Sequence, residues 1–305
     1  MHRIVYSPLY ECDIGAHVFL TAKYRHVYER LLLEALVPPE QVLAPEPASL
    51  ELLRLVHTLE YLDYFLALRQ TRRVLLSELP ITAGIRDAYL LGAGGSLLAA
   101  RCALETGAAM HLGGGFHHAM ADHAEGFCYL NDVALAIRGL QHEGRILRAA
   151  VIDTDVHQGN GTARIFQGDA SVYTFSIHQE NNYPVKETSD WDIGLDDGVG
   201  DAEYLHKLGE AVPRILETSR PDLVVMVAGA DPYREDQLGG LALSIDGLRR
   251  RDRLVVEECA QRGIPVVGLL AGGYARRPED TVTIQTHTSR EVLAWDGPAP
   301  GNQRA

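Results

Sequence analysis

The sequence predicts an α/β protein of three layers, with a mostly parallel central sheet between two layers of helices. Three observations carry that reading. Apolar runs of strand length recur at Arg148–Asp155, Ser171–Ile177, Asp222–Ala228 and Ile264–Leu270, and helical segments separate most of them. Such alternation is the pattern of βαβ units. Second, the run Ala149–Ile152 passes straight into Asp153, Asp155 and His157 before breaking on Gly159 and Gly161, as a buried strand does when it ends in a polar loop. Third, no shift of composition and no internal repeat divides the 305 residues, a length one α/β domain can reach. Residues 1–296 therefore read as a single domain, and 297–305, GPAPGNQRA, as a flexible tail.

Taken in order, Arg3–Tyr6 is a short first strand. Thr21–Val37 has helical periodicity and stops at Pro38-Pro39, a helix breaker. Ser49–Arg69 is expected as one amphipathic helix with Leu52, Leu55, Val56, Leu59 and Leu62 on one face; His57 within it reads as a packed or capping histidine. Ile81–Gly107 is a long helix in which Gly92, Gly94 and Gly95 mark the close approach of a neighbouring element. Ala108–Leu112 is a brief buried strand that opens into Gly113-Gly114-Gly115. Helices are expected at Asn131–Glu143, Thr162–Gln167, Ala202–Ser219 and Asp246–Arg262. The irregular stretch Gln179–Gly200 is long enough to be functional, as the wall of a substrate pocket.

Composition excludes several classes. A formal net charge of −13 opposes direct nucleic-acid binding, which needs a basic footprint, and tolerates a cationic substrate. Cys12, Cys102, Cys128 and Cys259 form no CxxC pair, so neither a disulfide framework nor a thiolate zinc site is indicated. The N-terminus lacks a signal-peptide pattern and no apolar run reaches membrane length. A soluble cytoplasmic protein is expected, with its oligomeric state open.

The chemistry concentrates where strands end. Side chains alternate along a strand, so Asp153, Asp155 and His157 leave it on one face at its carboxyl end, where open α/β sheets bind ligands. Two carboxylates and an imidazole there form part of a metal site; a simple turn is the alternative. Three further segments repeat the pattern. GGGFHHA places His117 and His118 behind a glycine run, Ala228–Ser244 places Asp231 beyond a strand, and Leu270–Arg277 places Tyr274 behind two glycines. Four strand ends, each followed by glycine and a reactive group, point to one site on one sheet edge.

These residues resemble the zinc-dependent histone deacetylase family, which has the arginase/deacetylase-like fold. The matching motifs are GGGFHHA (Gly113–Ala119), GFCYLND (Gly126–Asp132), DTDVHQGNGT (Asp153–Thr162), GAD (Gly229–Asp231), LGGLALS (Leu238–Ser244) and GGY (Gly272–Tyr274). With Gln158 and Asn160 where many members carry His and Asp, the chain is most similar to class IV members and their bacterial relatives.

The resemblance implies that Asp155, His157 and Asp231 are the zinc ligands, with Fe²⁺ as an alternative ion for N/O ligands. It implies that His117 and His118 are a buried pair, that Asp153 orients His117, and that Tyr274 polarises the carbonyl. Gly126 and Phe127 would line the acyl tunnel, and Asn160 would stand behind His118. A structural potassium ion would lie near Asp153, Asp155, His157, Ser176 and the Ile177 carbonyl.

The implied activity is hydrolysis of acetyl or longer acyl groups from the ε-amino group of lysine in proteins or peptides. An acetylpolyamine or another small acylated amine is the alternative substrate. A binuclear manganese ureohydrolase and a non-catalytic binding protein are the remaining readings.

One physical argument supports the ligand assignment. Two carboxylates and a neutral imidazole cancel the charge of Zn²⁺, so its water is acidified less than the shift from about 15.7 to roughly 7 seen at three-histidine zinc. Hydrolysis then needs an adjacent base, and His118 supplies one. Three further expectations concern flanking residues. His17–Tyr24, HVFLTAKY, is similar to a bacterial HxFPxxKY pattern with Leu20 in place of Pro. Asp122 and His123 read as solvated loop residues, and Cys128 as a packing residue.

Overall fold

The computed structural model describes residues 2–298; the expected tail from residue 299 onward lies outside them. Eight strands form one sheet: β1 Arg3–Val5, β2 Val42–Leu43, β3 Ala108–His111, β4 Ala149–Asp153, β5 Val172–Gln179, β6 Trp191–Leu195, β7 Leu223–Val227 and β8 Val266–Leu269. They run in the order β2-β1-β3-β8-β7-β4-β5-β6, and every pairing is parallel. All carboxyl ends therefore share one edge, with β3, β8, β7 and β4 side by side at its centre.

Period-two alternation decides which core each strand residue enters. In β4, Ala150 and Ile152 join one apolar cluster while Ala149 and Val151 join a second. In β7, Val224 and Met226 divide in the same way from Leu223, Val225 and Val227. Both faces are thus covered, as a parallel sheet requires. The helices α5 (Ala83–Thr106), α6 (Asp132–His142) and α7 (Asn160–Phe166) contribute to one cluster. The helices α8 (Asp201–Ser219), α9 (Ile245–Gln261) and α10 (Pro278–Leu293) contribute to the other, with α1 (Lys23–Leu33) packed on α10.

Several expectations shift. The single helix expected over Ser49–Arg69 is two, α2 (Leu50–Leu53) and α3 (Leu59–Leu66). Tertiary hydrogen bonds break it: Thr58 N donates to the Ala121 carbonyl at 2.8 Å, the Thr58 hydroxyl caps α3 by accepting from Tyr61 N, and His57 turns inward. The first helix ends at Leu33, four residues before Val37, and Ala35 adopts φ 50°. A short helix α4 (Arg72–Leu75) follows α3.

In α5 the glycines do admit neighbours: a Cβ at Gly94 would lie 1.9 Å from the Glu46 carbonyl oxygen. The stretch Gln179–Gly200 is not wholly irregular, because Trp191–Leu195 forms the edge strand β6, half-exposed beside β5. After Tyr274, where the sequence reading assigns no element, α10 runs for 16 residues behind Pro278. No helix of the described residues is long and apolar enough to cross a membrane.

Candidate active site

The four central strands deliver their carboxyl-end residues to one place. Beyond β4, Asp155 Oδ1 accepts from His157 N and from His157 Nδ1, both at 3.0 Å. Asp155 Oδ2 accepts from Gly272 N at 3.0 Å, which ties the loop after β8 to the loop after β4. Beyond β7, Asp231 Oδ1 accepts from Val156 N at 3.0 Å, and Asp231 Oδ2 lies 3.5 Å from His157 Nδ1. That second oxygen is buried and has no hydrogen-bond partner. One ligand atom from each of Asp155, His157 and Asp231 lies within 4.8 Å of the others.

The close packing explains a glycine. A Cβ on Gly272 would stand 2.0 Å from Asp231 Oδ2 and 2.6 Å from Asp155 Oδ2. The residues therefore fit a small cation: a buried oxygen lacks a partner, and two carboxylates and an imidazole converge around it.

The loop after β3 supplies the histidines. Its shape is fixed by Asp132 at the start of α6, whose carboxylate accepts from Gly115 N at 3.0 Å and Phe116 N at 2.6 Å. The Ser96 hydroxyl also donates to Asp132. His117 Nδ1 donates to Asp153 Oδ2 at 2.6 Å, His118 Nδ1 meets Asn160 Oδ1 at 2.8 Å, and the two Nε2 atoms stand 3.1 Å apart.

These contacts separate the two imidazoles. Burial opposes charge on His117, but Asp153 and Asp155 outweigh it and raise its pKa to about 9. Burial, the adjacent His117 and then His157 push His118 well below the ordinary histidine value. One ring is therefore held charged and its neighbour neutral, and two cations so close together would repel.

Tyr274 enters from the loop after β8, its N–H donating to Asp236 Oδ2 at 2.7 Å. Its ring meets Phe19 at 6.4 Å and Phe127 at 5.9 Å, both edge-on. Burial, then Asp231 and Asp155, raise its hydroxyl well above the ordinary tyrosine range. Gly126 (φ 50°) and Phe127 (φ 63°) form the tip of a tight turn closed by reciprocal hydrogen bonds between Glu125 and Cys128. Two positive φ values in succession suit a primed turn, and the Phe127 carbonyl accepts from the Tyr89 hydroxyl.

His117, His118, Gly126, Phe127, Asp155, His157 and Tyr274 line one cavity of about 30 Å³. Larger surface depressions, about 460 and 710 Å³, contain none of Asp155, His157 and Asp231 among their walls. Asp153 and Ser176 are register partners across β4 and β5, with Ile177 next along the strand. Cys128 is buried, its Sγ donates to the Gly126 carbonyl, and burial raises its thiol well above the ordinary range, as suits a packing residue.

Asp122 and His123 lie on the loop, partly exposed, and are also paired: His123 Nδ1 lies 2.7 Å from Asp122 Oδ1 and its Nε2 3.5 Å from Glu125 Oε2.

Other residues escaped the sequence reading. Phe19 and Lys23 come from the HVFLTAKY segment, whose similarity was the available signal. Lys23 Nζ donates to the Ala271 carbonyl at 2.8 Å and lies 5.6 Å from the Tyr274 ring centroid. Burial lowers this ammonium to about 8 against the pull of Asp231, Asp155 and Asp236. Asp236, Glu125 and Tyr183 gave no signal beyond their polarity.

An all-parallel sheet covered by helices on both faces, with its polar loops at one edge, is a three-layer α/β/α architecture, and the solved structures it superposes on make it the arginase/deacetylase-like fold. The model of the histone deacetylase domain matches residues 17–289. The chain is 41% identical over 285 residues to an uncharacterized protein of Picosynechococcus, covering 92% of this chain and 94% of the relative. It is 31% identical over 288 residues to histone deacetylase 2 of Arabidopsis thaliana, covering 90% and 74%.

Two solved structures superpose at 23% identity. The HD domain of HDA15 gives a TM-score of 0.83 over 98% of this chain and 89% of that one. An acetylpolyamine aminohydrolase from Burkholderia pseudomallei gives 0.81 over 97% and 100%. The chain belongs to the histone deacetylase family, and its activity is that of a deacetylase.

Proposed function

We propose that the protein is a metal-dependent amidohydrolase that removes acetyl groups from the ε-amino group of lysine in proteins or peptides. The observation that carries this reading is the convergence of Asp155, His157 and Asp231 with the His117–His118 pair and Tyr274. Asp231 Oδ2, buried without a hydrogen bond, supports a bound divalent ion, Zn²⁺ or Fe²⁺, held by these three residues. Such an ion, when bound, polarises the amide carbonyl and acidifies water.

The chain's own residues do the rest. Neutral His118 takes the proton of the attacking water at Nε2 and returns it to the leaving amine. His117, paired with Asp153, stays charged and lends electrostatic support. Tyr274, protonated throughout the neutral range, donates its O–H to the oxygen where negative charge develops. In the same reading a potassium ion is assigned to Asp153, Asp155, His157, Ser176 and the Ile177 carbonyl, with the Asp153–Ser176 register in support.

The cavity beside Asp155 and His157, about 30 Å³, adjoins a second of about 20 Å³ that shares Phe19, Tyr24 and Phe116 with it, and a longer acyl chain would have to pass between those rings. Among the described residues Asp155, His157 and Asp231 form the one such ligand group, which favours a single ion over a binuclear manganese centre.

The test is turnover of acetyl-lysine peptides, fatty-acyl-lysine peptides and acetylpolyamines, each with and without a chelator. Chelator-sensitive turnover, fastest on acetyl-lysine peptides, is expected. Preference for acetylpolyamines would move the assignment to small amines, and absence of chelator-sensitive turnover on every substrate would refute it.

A further inference from the structure

The ladder between β4 and β7 stops just short of the metal site. Among the described residues its last backbone bond runs from Thr154 N to the Val227 carbonyl at 2.9 Å. Beyond that point the two chains part, and each carries a carboxylate: Asp155 follows Thr154, and Asp231 follows Gly229 by two residues. Thr154 and Gly229 are buried, and buried carbonyls need donors. One nitrogen supplies both, because Arg251 Nη1 on α9 donates to the Gly229 carbonyl at 2.6 Å and to the Thr154 carbonyl at 3.2 Å.

We propose that Arg251 is a positioning residue for the metal: it sets the separation of Asp155 and Asp231 by gripping the loops that carry them. The inference rests on the reading of Asp155, His157 and Asp231 as ligands of one ion. Gly229 shows how the grip reaches them. A Cβ there would stand 2.2 Å from Asp155 Oδ2 and 2.6 Å from Asp231 Oδ1, so this residue is the spacer between the two carboxylates. Gly272 N bonds Asp155 and Val156 N bonds Asp231, which orients each carboxylate. Arg251 joins the two backbones themselves, whereas the Tyr204 hydroxyl bonds the Thr154 carbonyl alone, at 3.4 Å.

The guanidinium is fixed in turn. Arg251 and Asp252 are both fully buried, Arg251 Nε donates to Asp252 Oδ1 at 2.7 Å, and the Thr288 hydroxyl on α10 donates to Asp252 Oδ2 at 2.5 Å. A buried ion pair contributes little net stability, because desolvation offsets the attraction, and an apolar pair of similar volume often serves folding as well. What an apolar pair cannot do is hold two carbonyls. The product of the pair is therefore the geometry of the metal loops rather than the stability of α9.

The test replaces both members in the full chain, Arg251→Met with Asp252→Leu, so that no charge is left buried alone; Thr288 keeps its bond to the Ile284 carbonyl. Zinc affinity, measured by chelator competition, should fall roughly tenfold to a hundredfold, the usual cost of losing a group that holds a metal ligand in place. Cobalt(II) absorption, whose bands follow coordination geometry, should shift. In the metal-free protein the Val156 and Gly272 amides should exchange with deuterium faster, while those within β4 and β7 keep their rates.

Leu216→Ala is the control for stability. It opens a cavity at a buried position near the end of α8 that leads into β7, at the opposite edge of the sheet. It should lower the melting temperature and leave zinc affinity, the cobalt spectrum and both amides unchanged. Should the double variant fail to fold, Arg251→Lys takes its place, since it keeps the charge beside Asp252 but offers a shorter point donor; a smaller loss in the same direction is expected.

Zinc affinity within about twofold of wild type in the folded variant, or unchanged exchange at Val156 and Gly272, would overturn the proposal. So would an equal loss of affinity in Leu216→Ala. A wild type that binds no zinc would instead overturn the metal reading, and the exchange result would still decide the role of Arg251.

Discussion

Acid should weaken this protein through His57, by an amount the structure specifies. The ring is 3% exposed and bridges two segments of the site: Nδ1 donates to the Met120 carbonyl at 3.0 Å, and Nε2 accepts from Asn131 N at 3.1 Å. This pattern uses one donor and one acceptor, which only the neutral imidazole has. Protonation would set an N–H against the Asn131 N–H. Burial, opposed by the Met120 and Ala121 backbone, lowers the pKa from 6.5 to about 4.

The sign follows from linkage. The unfolded chain takes up this proton first, so stability is complete above the unfolded value and falls as pH drops from there toward the folded value. The slope approaches about 1.4 kcal/mol per pH unit, and integration gives a loss of about 2 kcal/mol between about pH 7.5 and about pH 5. His111, also buried and lowered to about 3, adds acid sensitivity of the same sign.

His57→Gln separates the two. A glutamine amide can donate to Met120 and accept from Asn131 without titrating, and His111 is common to both proteins. Urea unfolding followed by circular dichroism across this range should give curves that converge as pH falls, by about 2 kcal/mol. Parallel stability curves would refute the assignment of a neutral, doubly bonded His57.

Three further outcomes test the site itself. Tyr274→Phe should lower kcat about 10²–10³-fold, the usual cost of one oxyanion donor, and leave KM nearly unchanged, because Phe19 and Phe127 still hold the ring; steady-state kinetics on an acetyl-lysine peptide decides. Asp231→Asn should abolish the rise in unfolding free energy that zinc gives the wild type, about 2.7 kcal/mol at a hundredfold excess over Kd, as thermal melts with and without zinc will show. Gly272→Ala should weaken zinc binding by about fivefold to about 150-fold, because the added carbon meets Asp231 Oδ2 at 2.0 Å and such overpacking costs roughly 1–3 kcal/mol; chelator competition measures it.

The reactive groups were legible in the sequence because strand geometry forces them together. A buried apolar run, a period of two and a polar break place Asp155, His157, Asp231 and Tyr274 at strand ends, and parallel pairing puts those ends on one edge. What escaped was set by contacts between distant segments. Periodicity alone makes Ser49–Arg69 one helix, yet the Ala121 carbonyl takes the Thr58 N–H, and Met120 and Asn131 bond the His57 ring. In β6, Trp191, Ile193 and Leu195 do alternate with Asp192 and Gly194, but the surrounding Asn, Asp, Gly and Pro residues obscure a five-residue edge strand.

The residues that hold the chemistry in place share a property that explains their silence. Asp132 grips the loop before His117 through two backbone amides, and Asp236 grips Tyr274 through one. Behind Asp132 runs a directed chain: the Tyr10 hydroxyl donates to His111 Nε2, His111 Nδ1 to Ser96 Oγ, and Ser96 to Asp132. Only one assignment of protons satisfies every member, because the carboxylate at its end can only accept. Beside His118, Glu125 Oε1 accepts from Asn160 Nδ2 at 2.9 Å and so holds the Asn160 oxygen toward His118 Nδ1. In each case an acceptor-only group, buried or half-buried, removes a freedom that a loop or a ring would otherwise keep. A reactive residue can be read from its own type and position, whereas a holding residue is defined by which amide or ring it meets, and only the fold supplies that.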